Sequence, residues 1–190
     1  MAEPGKGHTV MKKVELLAPA GSLEALKAAV ENGADAVYIG GSQFSARQKA
    51  ENFSPEQMAE GIAYAHQRGS KVHVAVNTLL RNEEIGDFIA YAYQLAELQV
   101  DAVIIQDLGA AHLLRETLPQ LPLHASTQMA VHNAAGVQFL QQQGFERVVL
   151  ARETSLDNIR QIKVTNDVEL EVFVHGALCV SYSGQCLLSS

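Results

Sequence analysis

One repeated pattern limits what this sequence can fold into: a short apolar run, then a polar or glycine-containing turn, then a longer stretch with helical periodicity. Seven such runs follow residue 11, and we predict a strand for each. Strands that alternate with helices are expected to pair in parallel through right-handed crossovers. The predicted strands are Val14–Leu17, Ala36–Ile39, Val72–Val76, Ala102–Ile105, Leu123–Ala125, Val148–Ala151 and Leu170–Val174.

The stretches between these runs carry signals for helix ends. Ser22 and the pair Ser54–Pro55 are typical of helix N-termini, because serine caps the first turn and proline fits its first position. Gly33, Gly69 and Gly144 follow helix ends, where a left-handed residue is favoured. The predicted helices are Ser22–Asn32, Ser54–Gln67, Ile85–Leu98, Gly109–Leu118, Ala130–Gln143 and Ser155–Ile162.

Two architectures satisfy this pattern, a doubly wound open sheet and a (β/α)8 barrel. Polar residues follow the predicted strands, as in Asn77-Thr78, Ser126–Gln128 and Arg152-Glu153. A barrel gathers all strand ends at one mouth, where the active sites of that fold lie. We therefore predict an α/β chain forming a TIM-like (β/α) barrel of mostly parallel strands. Seven units are one short of closure, so the barrel is expected to be incomplete and the chain truncated, with residues 1–10 an extension and 11–190 the barrel domain.

Composition excludes several classes of protein. The chain has 190 residues, 47% of them hydrophobic, and a formal net charge of −7. No run approaches the roughly 18 apolar residues of a membrane span, and the first ten residues lack the apolar core of a signal peptide, which favours a cytoplasmic protein. Phosphate binding depends on clustered Lys and Arg, so an RNA partner would need a local basic patch or help from missing sequence. The open edges of an incomplete barrel are compatible with a homo-oligomer.

The last twenty residues contain the only two cysteines, Cys179 and Cys186, with Gly176 and Gly184 close to them. Thiolates in a glycine-containing loop can turn toward a metal or an iron–sulfur cluster, since glycine lets the backbone approach it. The alternative is that both are free cysteines packed as small apolar residues. Two cysteines do not complete a four-thiolate site, so further ligands would lie beyond Ser190 or on another chain.

Other polar residues are candidates for catalysis or substrate binding. His175, at the end of the last predicted strand, suits a base, a metal ligand or a substrate contact, or simply a hydrogen-bonded strand end. Arg47 and Arg152 suit an anion or a nucleobase, because arginine makes bidentate contacts, although a surface arginine is often only solvated. The remaining candidates, which also suit core packing, are His73, His124 and Gln128.

Two motifs near the end of the chain resemble the signature of the peptidase U32 family of collagenase-like peptidases. They read EVFVHGALC from Glu171 and GQCLLS from Gly184. The segment from Glu15 to Gly40, Asn77 and the Ser126–Gln128 segment are also similar to the amino-terminal domain of that family. The resemblance covers residues 14–190 and implies the amino-terminal barrel of a longer protein.

The resemblance implies two candidate reactions. Family members include proteins that support hydroxylation of a cytidine in ribosomal RNA or a uridine in transfer RNA. Others act in oxygen-independent ubiquinone hydroxylation, where four cysteines hold a [4Fe-4S] cluster. By position, Cys179 and Cys186 correspond to the first pair of ligands. Our leading hypothesis is therefore iron–sulfur-dependent, oxygen-independent hydroxylation of an RNA base, with Asn77, Gln128 and the two arginines binding the substrate.

The alternative reaction is hydrolysis of a protein substrate by a collagenase-like peptidase. In that reaction His175, Glu171 or Cys179 would bind a metal or activate a nucleophile, and His175 and Glu171 are the catalytic candidates. No HExxH, GxSxG or P-loop pattern supports a hydrolase of a known motif class. A third, non-enzymatic hypothesis is a recognition module that presents RNA or a partner protein to another domain.

Overall fold

The computed structural model describes residues 13–46, 52–176 and 179–185. Within this part of the chain, seven strands form one sheet in sequence order, and every neighbouring pair is parallel. The strands are β1 Leu17–Pro19, β2 Ala36–Gly40, β3 Lys71–Val76, β4 Ala102–Ile105, β5 Leu123–Ala125, β6 Arg147–Val149 and β7 Glu169–Glu171. The described residues also include 3-10 turns at Asn82–Glu84 and Thr127–Met129.

Helices connect the successive strands. They are α1 Leu23–Glu31, α2 Pro55–His66, α3 Ile85–Glu97, α4 Leu108–Thr117, α5 Ala134–Gln142 and α6 Leu156–Thr165. Helix α2 shows why they begin where they do. The Ser54 hydroxyl accepts a bond from the Gln57 N–H, and the Gln57 side chain accepts one from the Ser54 N–H, so two N–H groups left free by the first turn are satisfied.

The sheet curls into an incomplete TIM-like barrel, which confirms the predicted fold. Five strand spacings of about 4.8 Å would separate β1 from β6 by roughly 24 Å in a flat sheet. Instead Arg147, at the start of β6, donates a bond of 2.6 Å to Glu15, two residues before β1. No ladder joins β1 to β7 among the described residues, so the circle is not closed there.

Alternation along the strands separates the two faces of the sheet. On β3, Val72, Val74 and Val76 are buried in the main apolar cluster, which also contains helix residues such as Phe88. His73 lies between these valines and faces the inside of the barrel, where its ring meets His124 of β5 edge to face, with 4.7 Å between centroids. The helices therefore pack on the outer face, and the inner face is partly polar.

Several predicted boundaries are wrong: β6 ends at Val149 rather than Ala151, α6 ends at Thr165 rather than Ile162, and three others differ as follows. The first strand is Leu17–Pro19 rather than Val14–Leu17, and Val14 is 86% exposed. The last strand ends at Glu171 rather than Val174, which is 85% exposed. Helix α5 begins at Ala134 because Asn133 caps it, and Ala130 has a φ of +54° that is incompatible with a helix.

Two further predictions concern the amino-terminal extension and membrane-spanning segments. The predicted extension, residues 1–10, lies outside the described residues. Across the ranges that are described, no helix combines the length and the apolar character that a bilayer crossing requires.

Candidate active site at the barrel mouth

The carboxyl ends of the strands carry polar side chains that order the loops of the mouth. Asp107, after β4, accepts bonds from the N–H of Ala110 and of Leu80, at 2.9 and 3.1 Å, so it caps α4 and holds the preceding loop. Ser126, after β5, accepts a bond from the Gln128 N–H at 3.2 Å. These groups form a fixed frame on which other side chains are presented.

Asn77, predicted to bind substrate, lies at the end of β3. Its amide oxygen accepts a bond of 3.1 Å from the Ala46 N–H, and the neighbouring Thr78 hydroxyl donates to the Phe44 carbonyl at 3.2 Å. Phe44 has a φ of +56°, and its ring packs edge to face on Phe88 with centroids 5.4 Å apart. Asn77 therefore holds the loop after β2 in place; its contact with a substrate stays a prediction.

The cysteine loop, residues 179–185, carries Cys179 and lies against the ends of β5 and β6. Ser183 is buried, and both its N–H and its hydroxyl donate to the Glu153 carboxylate, at 3.2 and 2.9 Å. The Arg152 N–H donates to the same hydroxyl at 3.1 Å. Burial alone would raise the pKa of the Glu153 carboxyl. Hydrogen bonds from its own backbone N–H and from Ser183 outweigh burial, so this pKa lies below its usual value.

Gly184 fixes the same loop by close packing. Its φ is +77°, and a Cβ built on it would lie only 2.2 Å from the Gln128 carbonyl oxygen. The loop therefore passes directly over Gln128, whose side-chain oxygen is buried without a partner in the described part of the structure. Gln128 and Arg152, both predicted to bind substrate, are thus brought to the cysteine loop.

The remaining site candidates are less constrained. The Cys179 thiol is exposed, and His175 is exposed on the bend after β7. Cys186 and Arg47 lie outside the described residues. No cluster of three or more His, Cys, Asp or Glu side chains suited to a metal occurs in the ranges that the structure covers. Those residues alone thus offer one cysteine thiol and do not make up a four-ligand cluster site.

An ion-pair cluster inside the barrel was not predicted. Arg147 is 7% exposed and donates to Glu15, Glu169 and Glu171, at 2.6, 2.7 and 3.4 Å. Burial raises the pKa of the Glu171 carboxyl and outweighs the attraction of Arg147. Glu171, predicted to be catalytic, therefore binds Arg147 inside the barrel. Arg147 and its partners lie in three separate segments, namely β6, the residues before β1, and β7, and only the Glu-x-Glu spacing of β7 placed two of them on one face.

Two neutral histidines lie beside this ion-pair cluster. Burial, followed by the positive charge of Arg147, lowers the pKa of His73 to about 4. Burial, followed by His73 itself, lowers the pKa of His124 to about 2. Both were predicted to be lining residues. They line a cavity of about 290 Å³ together with residues that begin or precede strands, including Lys71, Asp101 and Glu146. That cavity lies at the end of the barrel opposite the cysteine loop.

Known proteins match nearly the whole chain. A family model described as peptidase family U32 matches residues 21–190. The tRNA hydroxylation protein P of Escherichia coli (strain K12) is 44% identical over 180 residues, which cover 94% of this chain and 40% of the relative. The 23S rRNA 5-hydroxycytidine synthase of the same strain is 44% identical over 177 residues, covering 93% and 26%. The chain therefore spans less than half the length of these curated relatives.

A solved structure supports the fold. The structure of a U32 peptidase aligns with a TM-score of 0.70 at 14% identity, covering 89% of this chain and 72% of that chain. At this level of identity the likeness concerns the fold alone.

Proposed function

Because the chain belongs to peptidase family U32, we propose that the protein of which it forms the barrel takes part in hydroxylating a pyrimidine base of transfer or ribosomal RNA. The observation that carries this proposal is the 44% identity, over more than nine tenths of the chain, to proteins named for tRNA hydroxylation and for 5-hydroxycytidine synthesis in 23S rRNA. An RNA substrate also implies a cytoplasmic location.

The arrangement of the mouth is consistent with this proposal. The cysteine loop lies over the Gln128 backbone and is bonded to the Arg152 backbone N–H, so the mouth of the barrel brings an amide residue and an arginine together with a thiol-bearing loop. Amide and guanidinium groups recognise the edges of nucleobases through paired hydrogen bonds. We assign base contacts to Asn77, Gln128 and Arg152, and a further contact to Arg47.

The cofactor is a separate part of the proposal. We assign Cys179 and Cys186 as two ligands of a [4Fe-4S] cluster whose remaining ligands come from elsewhere in the full-length protein or from another chain. Such a cluster supplies one-electron redox chemistry when bound. The exposed Cys179 thiol, on a loop fixed by Ser183 and Gly184, is available for this role.

The first experiment measures RNA modification. The full-length protein is expressed in a host that lacks its own relative, and hydroxylated pyrimidine nucleosides from tRNA and rRNA are quantified by mass spectrometry. We expect the wild type to restore one of them and Cys179→Ser to abolish it. Val180→Ser is the matched control, because this neighbouring side chain is fully exposed and carries no thiol. Absence of any hydroxylated nucleoside with the wild type would refute the proposal.

The second experiment tests the cluster independently of activity. Anaerobically purified full-length protein is analysed for iron and acid-labile sulfide and by absorption spectroscopy. We expect a brown protein whose iron content falls in Cys179→Ser and Cys186→Ser. A colourless, iron-free wild type that still modifies RNA would overturn the cluster assignment and leave the RNA proposal intact.

Peptidase activity is the second candidate function, favoured by the family description and by the U32 peptidase fold. Its proposed residues are His175, Glu171 and Cys179, with a bound metal or an activated nucleophile. Cleavage of gelatin by the full-length protein, with and without chelator, tests it. Cleavage that is unchanged in His175→Ala and Cys179→Ala would show that these residues do not perform it.

A further inference from the structure

The cysteine loop, residues 179–185, is held by few contacts. Val180 is 100% exposed and Tyr182 is 72% exposed, so burial of their side chains contributes little to fixing it. Ser183, by contrast, is 1% exposed and makes every hydrogen bond that joins the loop to the rest of the described structure. The position of the loop therefore depends on what binds Ser183.

Glu153 supplies two acceptors to this serine. Its Oε1 accepts from the Ser183 N–H at 3.2 Å, and its Oε2 accepts from the Ser183 hydroxyl at 2.9 Å. The hydroxyl in turn accepts from the Arg152 N–H at 3.1 Å. The N–H and the hydroxyl of Ser183 are thus paired with Arg152 and Glu153, the consecutive residues after β6. This arrangement fixes the distance and the orientation of the loop relative to the end of β6. Hydrogen bonds to an ionised acceptor are about twice as strong as neutral ones.

We propose that Glu153 is a positioning residue: its carboxylate, through Ser183, holds the cysteine loop, which carries the Cys179 thiol, at the mouth of the barrel beside Gln128 and Arg152. Glu153 has no role in the chemistry assigned above, and it acts only through the loop. The effect of Glu153 on catalysis rests on the proposed function, whereas the docking of the loop can be measured without any activity.

Gly184 gives this proposal independent support. Its backbone passes so close to the Gln128 carbonyl that a Cβ would overlap it at 2.2 Å, and its positive φ disfavours any other residue. Since Ser183 and Gly184 are adjacent, the carboxylate and the close packing act on the same point of the loop. Removing either contact should release the loop while leaving the barrel folded.

The test uses the full-length protein carrying Glu153→Ala, Glu153→Gln or Gly184→Ala. Hydrogen–deuterium exchange is followed on a peptide that contains residue 183. We expect exchange of that peptide to accelerate about tenfold or more in Glu153→Ala and Gly184→Ala, as for the loss of a charge-assisted bond. Glu153→Gln keeps an acceptor oxygen and should restore part of the protection. Asp157→Asn is the matched control, since this exposed carboxylate pairs only with the exposed Arg160 among described residues.

A second readout separates positioning from general stability. Glu153→Ala should lower kcat for RNA hydroxylation more than it raises KM, and should leave the thermal unfolding midpoint near that of the control. Unchanged exchange in Glu153→Ala would overturn the positioning role, whatever the activity. Faster exchange without any hydroxylation by the wild type would support the docking role and count against the proposed function alone.

Discussion

Arg147 provides a direct test of the architecture, because one buried guanidinium on β6 binds carboxylates from two other parts of the curled sheet, the residues before β1 and strand β7. In the variant Arg147→Met, the carboxylates of Glu15, Glu169 and Glu171 would lose the Arg147 guanidinium, and Glu15 would keep the Lys71 ammonium at 3.7 Å. Their side chains are 26%, 50% and 16% exposed, while that of Arg147 is 8% exposed. Breaking a buried ion pair by removing one partner costs about 3–5 kcal/mol. Because Glu169 is half-exposed and contributes little, we expect about 3–4 kcal/mol at pH 7.

The pH dependence gives this prediction a direction as well as a size. In the wild type the pKa of Glu15 lies below its usual value, since bonding to Arg147 outweighs burial. Its stabilising effect is present above the unfolded-state pKa and is lost as the pH falls through the folded-state pKa. In Arg147→Met the pKa of Glu15 should instead rise above its unfolded value, and the already raised pKa of Glu171 should rise further, so acidification favours the folded variant. The stability gap between the two proteins should therefore narrow from pH 7 to pH 4.

Urea unfolding of both proteins at several pH values measures this gap. Arg160→Met is the matched control, because Arg160 pairs with Asp157 on the surface and both side chains are more than 70% exposed. We expect less than about 0.5 kcal/mol from that control. Adding Glu171→Gln to Arg147→Met should recover part of the loss, because it removes the most buried carboxylate. A loss below about 1 kcal/mol, or one that does not change with pH, would refute the idea of a buried charge cluster.

Three further predictions concern other parts of the barrel. With folded pKa values of about 4 and 2, His73 and His124 should stay neutral in the native state, whereas both are protonated in the unfolded chain below about pH 6.5. The free energy of unfolding should therefore fall as the pH drops below about 6.5. Ring-proton NMR that shows either imidazole titrating between pH 5 and 8 would contradict the burial argument. Ser54→Ala should lower the free energy of unfolding measured in urea by about 1 kcal/mol, because it removes the N-cap of α2. Ser54→Asp, which keeps a capping oxygen, should lower it much less, and equal losses in the two variants would argue against capping. Gly41→Ala should lower the thermal unfolding midpoint, because the new Cβ would lie 1.9 Å from the Tyr91 hydroxyl oxygen. Recovery of the midpoint in the double variant Gly41→Ala, Tyr91→Phe would identify that overlap as the cause. An unchanged midpoint in Gly41→Ala alone would refute the overlap.

Local sequence signals determined the order and type of the elements. Seven apolar runs separated by helical stretches specify parallel strands with crossovers, because the two periodicities differ and the connections between parallel strands must be long. Cap residues such as Ser22 and Ser54 marked helix starts to within one residue. The wrong start predicted for α5 depends on the left-handed backbone conformation of Ala130, which the residue pattern of that segment does not predict.

The candidate site was predicted only in part. The cysteine loop, Gln128 and Arg152 follow from motifs and strand ends, and the structure places the described part of that loop beside the other two. Glu153 was named only as a polar strand-end residue, since nothing in its local sequence indicates a bond to a serine thirty positions later. The predicted strand Val148–Ala151 began one residue after Arg147, whereas the observed strand β6 is Arg147–Val149.

The sequence alone thus determined which segments become strands and helices, which residues follow each strand, and which family the motifs resemble. The tertiary structure decided which of those residues meet. Curling of the sheet joins Glu15 to Arg147 across 132 positions, and packing of the last loop joins Ser183 to Glu153. The physical reason is range: caps and periodicity act over a few residues, whereas partners of buried charges are selected by closure of the sheet in space.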